Sequence, residues 1–430
     1  MPAIRIRIAS SHWPTVRRHS KTFRRNFGPN LMDYCILVFV TMGLAPLSNV
    51  CIKKIGFRMT VLVGTTISSI GYFMSAFAHR IEILYLTIGL AVGFGYALIL
   101  PMSMSVIAYF IQERFTIANS LTATGAGLAV FIFPPLLQTL IDNYGWRGSF
   151  IVFSALNAQM GISAALFRAP RRGTVNTGRT SKNSVTEAKG LTGYWKRMVN
   201  TCDFGLFRKY PTFVMYMCAS AISVGIGLQS LPAHMLARAE NKRLGSSTDI
   251  SLIVSAFGLA GIIGRLLVPT ILYFTKKCTA NLNVYAFALC VTGLCNLASA
   301  FAKDYVSYMT YSSVLGVSVG ICMGTKTVIA RDIVGPELLT AAVGMVVLLT
   351  AFGSLIGPPF AGYIYDITGD YNNSFYFYGS MLTTGGTMIF VLEPYTTRLQ
   401  RTTGDATSVT LADPRRYEEC VVEAATQTGV

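Results

Sequence analysis

The sequence predicts an all-α membrane protein of two helical halves, with about eleven spanning helices arranged as five and then six. Three observations lead there. The 430 residues are 52% hydrophobic and only 13% charged, with a mean hydropathy of +0.50, whereas soluble domains carry roughly 25% charged residues. The apolar residues fall in runs of about 20, the length that crosses a bilayer core as a helix. In lipid the backbone must satisfy its own hydrogen bonds, so such runs fold as helices. The chain also repeats. Pro134-Pro135, Asp142 and Gly145 recur as Pro358-Pro359, Asp366 and Gly369 at an offset of 224, with Tyr144 replaced by Thr368. Pro46 followed by Lys53-Lys54 recurs as Pro269 followed by Lys276-Lys277 at 223. Parallel repeats in a strongly apolar chain are the plan of a transporter.

In order along the chain, residues 1–30 form a basic N-terminal tail without Asp or Glu. The N-terminal half, 31–168, holds expected spans at 31–52, 60–78, 83–108, 117–141 and 149–168. A polar stretch, 169–210, is rich in Gly, Thr, Ser and Asn. Its basic residues outnumber Glu187 and Asp203, and it reads as a disordered cytoplasmic linker. The C-terminal half, 211–393, holds spans at 211–237, 251–274, 283–302, 305–329, 339–365 and 374–393. The polar tail 394–430 is expected to be disordered and cytoplasmic. Moved back by 224, the segment 211–237 falls ahead of residue 1, so the N-terminal half is expected to be incomplete by one helix.

Lysine and arginine orient the bundle. The linker, Lys53, Lys54 and Arg58, Lys276 and Lys277, and Arg398 and Arg401 fall on one side when every run spans, and that side should be the cytoplasm. The tail 1–30, with Arg5, Arg7, Arg17, Arg18, Lys21, Arg24 and Arg25, then lies on the opposite side, against the rule. One further helix before residue 31 would remove the conflict. Read alone, the Arg-rich, acid-free tail also resembles a mitochondrial presequence, which makes the inner mitochondrial membrane the alternative to the plasma membrane.

Other classes fit poorly. The net charge of +17 sits between the apolar runs, beside anionic lipid, and no nucleic-acid motif accompanies it. The cysteines Cys35, Cys218, Cys290, Cys295 and Cys322 lie inside apolar runs without CxxC or Cys/His spacing, as small buried hydrophobes. No metal or other cofactor is called for. No nucleophile–base set or phosphate loop suggests an enzyme.

Several motifs resemble the monocarboxylate transporters, a branch of the major facilitator superfamily. Pro46-Leu47-Ser48-Asn49 through Lys54-Ile55-Gly56-Phe57-Arg58 resembles the family's second helix and following loop. Tyr109-Phe110, Arg114, Ala118-Asn119 and Gly125 resemble its fifth-helix signature, and Tyr144-Gly145-Trp146-Arg147-Gly148 its YGWRG loop. Gly264-Arg265 fits the eighth helix. Asp332-Ile333-Val334-Gly335-Pro336 and Gly357-Pro358-Pro359 through Gly369-Asp370-Tyr371 fit the tenth and eleventh. The likeness spans roughly residues 31–395. It implies transport of a small organic acid between the halves, proton linkage in some members, and for some a single-pass accessory glycoprotein. Three departures stand out: no acidic first-helix motif, Lys53 where the superfamily loop has an acid, and Gly261 where proton-coupled members carry Asp.

Arg265 is the first site candidate. It lies in the middle third of 251–274, where a charge costs roughly 2.5–3.5 kcal/mol to insert, and a guanidinium binds a carboxylate through two parallel hydrogen bonds. Alternatively it caps carbonyls between helices. Lys326, near the end of 305–329, either binds solute or snorkels to the surface. His234, near the outer end of 211–237, either relays protons or is a hydrogen-bonded interfacial histidine. Lys53, Lys54, Arg58, Arg114, Asn119, Lys276 and Lys277 are gating candidates in matching loops and helix ends, with topological charge as the plainer explanation for the lysines. The acids fall at helix ends, leaving no mid-membrane carboxylate for proton coupling. Pro134-Pro135 and Pro358-Pro359 are expected to kink or break their helices. Asn372-Asn373-Ser374 is a glycosylation sequon beside the membrane. The rival to transport is a non-transporting relative, truncated at the first helix, that acts as a regulator or binding partner.

Overall fold

The computed structural model describes residues 27–111, 114–166, 210–229, 231–242, 244–275, 281–335 and 338–402. These form α1 (Phe27–Gly43), α2 (Ala45–Ser75), α3 (81–110), α4 (Phe115–Ala158), α5 (Met160–Leu166), α6 (211–228), α7 (Leu231–Asn241), α8 (Ser247–Thr275), α9 (Asn281–Ala298), α10 (Tyr305–Val334), α11 (Leu339–Thr368) and α12 (Tyr371–Thr402). Wide π-helical turns occupy Tyr85–Val92 of α3 and Ala221–Leu228 of α6.

Eight helical stretches among the described residues are long and apolar enough to cross a membrane. One of them, Phe115–Ala165, has 51 residues, about 76 Å of helix against a hydrocarbon core of roughly 30 Å. It breaks at Gly145, whose φ of 70° and ψ of 172° suit a residue without Cβ, and so makes two passes. α2 breaks in the same way at Gly56, φ 81° and ψ 167°. With these two breaks, most of the eleven expected spans fall on a single helix, while 31–52, 149–168 and 211–237 each cover parts of two. The surface is that of a membrane protein. Phe301, Val306, Tyr273 and Phe274 point outward, while Ser68, Ser220, Thr292 and Asn296 are fully buried, their hydroxyl or amide groups hydrogen-bonded to helix carbonyls or, for Ser220, to the Tyr285 hydroxyl.

The offset of 224 holds in three dimensions. It carries Phe115 to Leu339, the starts of α4 and α11, and Gly145 to Gly369, which end those passes with φ of 70° and 69°. It carries 81–110 onto α10, Tyr305–Val334, at both ends. The halves also meet by this symmetry. α8 packs on α4, and α11 packs on α1, with Phe39 and Phe352 edge to face at 5.7 Å. Each contact joins the equivalent pair of helices with the halves exchanged.

The halves differ around α6. In the second half α6 lies against α11 and α12 so closely that a methyl on Gly225 would sit 2.7 Å from the Thr350 carbonyl and 3.0 Å from Gly353 Cα. Among the described residues nothing covers the matching face of α4. A methyl on Gly125 meets no atom within 4 Å. Only 11% of the most apolar window of Phe115–Ala165 is buried, against 61% for Ala342–Thr368.

Four expectations are corrected. Neither proline pair breaks its helix, since both lie inside helices without a non-helical residue at either pair. In a membrane bundle neighbouring helices sustain such segments. The C-terminal tail does not begin at 394, because α12 continues through Pro394 to Thr402. The helix containing Lys326 extends to Val334, which sets the lysine about two turns from its end. The segment 211–237 is two helices, 211–228 and Leu231–Asn241. The basic tail before Phe27, the linker up to Lys209, and Lys276 and Lys277 lie outside the described residues.

Candidate solute site between the halves

Arg265 sits on α8 where the two halves touch. α4 and α8 approach with backbone against backbone: a methyl on Gly258 would lie 2.7 Å from the Val130 carbonyl carbon. Small residues permit that approach, and it leaves room beside α4 for one long side chain. Arg265 fills it. Its relative exposure is 9%, and Nη1 lies against Gly127 of α4 and Gly261 of its own helix. Nε is buried without a hydrogen-bond partner. No ion pair or hydrogen bond satisfies the guanidinium among the described residues. A buried charge left in this way is costly unless something else pairs with it.

α10 closes the other side. A methyl on Gly320 would lie 3.1 Å from Arg265 N, and one on Gly324 3.7 Å from Arg265 Cα. Gly324 is also where the halves are joined. Its carbonyl accepts from Asn119 Nδ2 at 3.1 Å across the interface. Nearby, the Arg331 guanidinium lies 4.6 Å from the centre of the Phe115 ring, a cation–π contact. Arg265 and Asn119 thus converge on one stretch of α10. Lys326 follows two residues on. Its carbonyl accepts from Tyr216 Oη at 2.8 Å, and the residue is half-buried. At the opposite end, Tyr34 Oη donates to Gln229 O at 2.6 Å, so the halves are linked at both ends.

The remaining gating candidates do not join this cluster. Arg58 and Arg114 are exposed, and the side chains of Lys53 and Lys54 are outside what the structure describes. His234 is away from it as well, and it is not the hydrogen-bonded interfacial histidine expected. It is 1% exposed between Tyr371 and Tyr378, with ring centroids 6.3 and 5.4 Å away. Neither nitrogen has a hydrogen-bond partner among the described residues. The rings of Tyr371 and Tyr378 on α12 pack around it and take the place of polar partners.

Sequence reasoning missed Arg238, one turn beyond His234. It is fully buried. Nη1 donates to Ser299 Oγ at 2.8 Å and Nη2 to Ser299 O at 3.0 Å. Nη2 also donates to Asn372 Oδ1, and the guanidinium packs 4.5 Å from the Phe375 ring. Beyond α7, burial and the Arg238 charge lower the pKa of the Lys242 amine from its usual value, and its Nζ donates to Ala302 O at 3.0 Å.

The same contacts disable the sequon. Asn372 uses Oδ1 for Arg238 and Nδ2 for Asp370, at 2.8 Å, and Ser374 is buried with its hydroxyl on Ala361 O at 2.7 Å. Glycan removal is therefore expected to leave the electrophoretic mobility of the expressed protein unchanged. A mobility shift that disappears in Asn372→Gln would contradict this.

The chain is similar to known membrane transporters. Mouse (Mus musculus) Monocarboxylate transporter 4 is 29% identical over 356 residues, covering 83% of this chain and 73% of that protein. Human (Homo sapiens) Monocarboxylate transporter 12 is 26% identical over 385 residues, 86% of this chain and 72% of that protein. Human Monocarboxylate transporter 2 is 26% identical over 372 residues, 83% and 75%. The sequence profile described as Major Facilitator Superfamily matches residues 31–325 and, overlapping it, 241–418. With nearly the whole helical region matched, the chain belongs to the Major Facilitator Superfamily and is similar to its monocarboxylate transporters.

Proposed function

We propose that this multi-pass membrane transporter moves small monocarboxylates across the plasma membrane by alternating access, with Arg265 pairing the solute carboxylate. One observation carries the reading. A guanidinium in the middle of a spanning helix is enclosed between the halves, with no acid beside it among the described residues. A solute carboxylate supplies the missing charge, and two parallel N–H···O bonds fix its orientation. The paired contacts of α8 with α4 and α11 with α1 are surfaces on which the halves can rock.

The test is uptake of radiolabelled lactate and pyruvate by cells expressing the full chain, and by proteoliposomes containing it. Saturable uptake, competed by other monocarboxylates, is the expected result. Absence of flux in both systems, with the protein in the membrane, rejects the proposal. An imposed inward proton gradient separates proton-linked uptake, which it accelerates, from facilitated diffusion, which it leaves unchanged. The face of α4 that no described residue covers favours a second reading, a relative that binds but does not transport. In that case labelled monocarboxylate would bind the purified protein without crossing the bilayer.

A further inference from the structure

We infer that Gly127, on the first half, fixes how Arg265 of the second half presents itself to a solute carboxylate, and so sets the affinity for it. The inference rests on the proposal that Arg265 pairs the carboxylate. A methyl on Gly127 would lie 2.8 Å from Arg265 Nη1, 2.7 Å from Ile262 Cγ1 and 3.3 Å from Gly258 O. A methyl on Gly261 would lie 2.9 Å from the same Nη1. Two missing side chains, one from each half, therefore make the seat for one corner of the guanidinium. The guanidinium is a rigid plane with donors in fixed directions. With Nη1 held in the seat and Nε buried without a partner, the edge formed by Nε and Nη2 is the one left for an anion to complete when it enters between the helices. A carboxylate on that edge accepts two parallel hydrogen bonds and lies in the guanidinium plane.

Any side chain at 127 displaces Nη1 and tilts that plane. Helix α4 provides its own control. Gly125 lies two residues away, on nearly the opposite side of the helix, and a methyl there meets nothing within 4 Å. Gly127 is thus a positioning residue that acts through Arg265. Because it belongs to the other half, it also ties the shape of the site to the closeness of α4 and α8. Rocking that separates the helices frees the guanidinium from its seat.

The experiment uses the full chain in proteoliposomes and measures counterflow of labelled lactate and pyruvate. Gly127→Ala is expected to raise KM about tenfold, the loss of one charge-assisted hydrogen bond, with maximal rate and incorporated protein within about twofold. Gly125→Ala leaves KM unchanged, and Gly261→Ala shifts KM in the same direction as Gly127→Ala. On an Arg265→Lys background, Gly127→Ala adds no further loss, as expected of residues acting through one contact. A KM for Gly127→Ala equal to that of Gly125→Ala overturns the inference, and so does full additivity with Arg265→Lys. If Gly127→Ala does not reconstitute, Gly261→Ala decides, since its methyl meets only Gly316 O, at 3.5 Å, besides the guanidinium. An Arg265→Lys protein with native kinetics overturns the assignment of Arg265 and this inference with it. Lost flux in Arg265→Lys beside native kinetics in Gly127→Ala overturns the inference alone.

Discussion

Arg265→Lys is expected to lower monocarboxylate transport between about ten- and a hundredfold while the protein reaches the surface in normal amount. Lysine keeps the charge but replaces a planar fork with a point donor. The lost hydrogen bond to a charged group is worth roughly 1.5–3 kcal/mol, which sets that range. Uptake kinetics beside surface biotinylation make the measurement, and a KM equal to that of the unmodified protein rejects the role. Arg265→Met tests the same site from the other side. An arginine held for structure would cost stability when removed. Arg265 has no partner among the described residues, and burying a charge in the membrane is unfavourable. The Met variant should therefore unfold at the same temperature as the unmodified protein, or a higher one, while losing transport. Sites built for function often carry such a trade between stability and activity.

Much of the fold was legible because a bilayer imposes simple rules. Span length, loop charge and the repeat each leave a local mark in the sequence. The offset of 224 proved accurate to the residue for α4 and α11, and for 81–110 and α10. Gly145 and Gly369 were visible as repeat partners, and their shared positive φ explains why both are glycine. The proline pairs misled because the rule for isolated helices ignores neighbours that sustain a helix through a missing donor. At the site, Arg265 was found from one local fact, a charge at mid-span. Gly127 could not be singled out, since many glycines crowd these helices and only the register of α4 on α8 shows which one touches a guanidinium. Asn119 showed itself through a fifth-helix motif, but its partner, Gly324, lies 205 residues away.

Arg238 shows the limit most clearly, and its removal should have the largest effect on stability. In the sequence it falls just past an apolar run, where a charge reads as loop. Its burial comes from Ser299, Asn372 and Phe375, residues 61 to 137 positions further on, so no local window contains the signal. Arg238→Ala strips the Ser299 carbonyl and hydroxyl and the Asn372 amide oxygen of a buried donor. It also empties the space over the Phe375 ring. Unsatisfied buried groups cost about 1–3 kcal/mol each, partly relieved by rearrangement, and lost arginine packing adds to this. A net loss of about 3 kcal/mol is expected. For a protein of this size that lowers the unfolding midpoint by roughly 3 °C, measurable by thermal unfolding in detergent. Arg238→Lys should fall between the two, since one amine cannot reach both Ser299 and Asn372 with the geometry of a fork. The two buried arginines thus predict opposite signs. Removing Arg265, which has no hydrogen-bond partner among the described residues, should leave the fold intact, and removing Arg238, whose Nη1 and Nη2 are both engaged although its Nε is not, should weaken it. An Arg238→Ala protein as stable as Arg265→Met would mean that the contacts to Ser299 and Asn372 contribute nothing to holding α7 against α9 and α12.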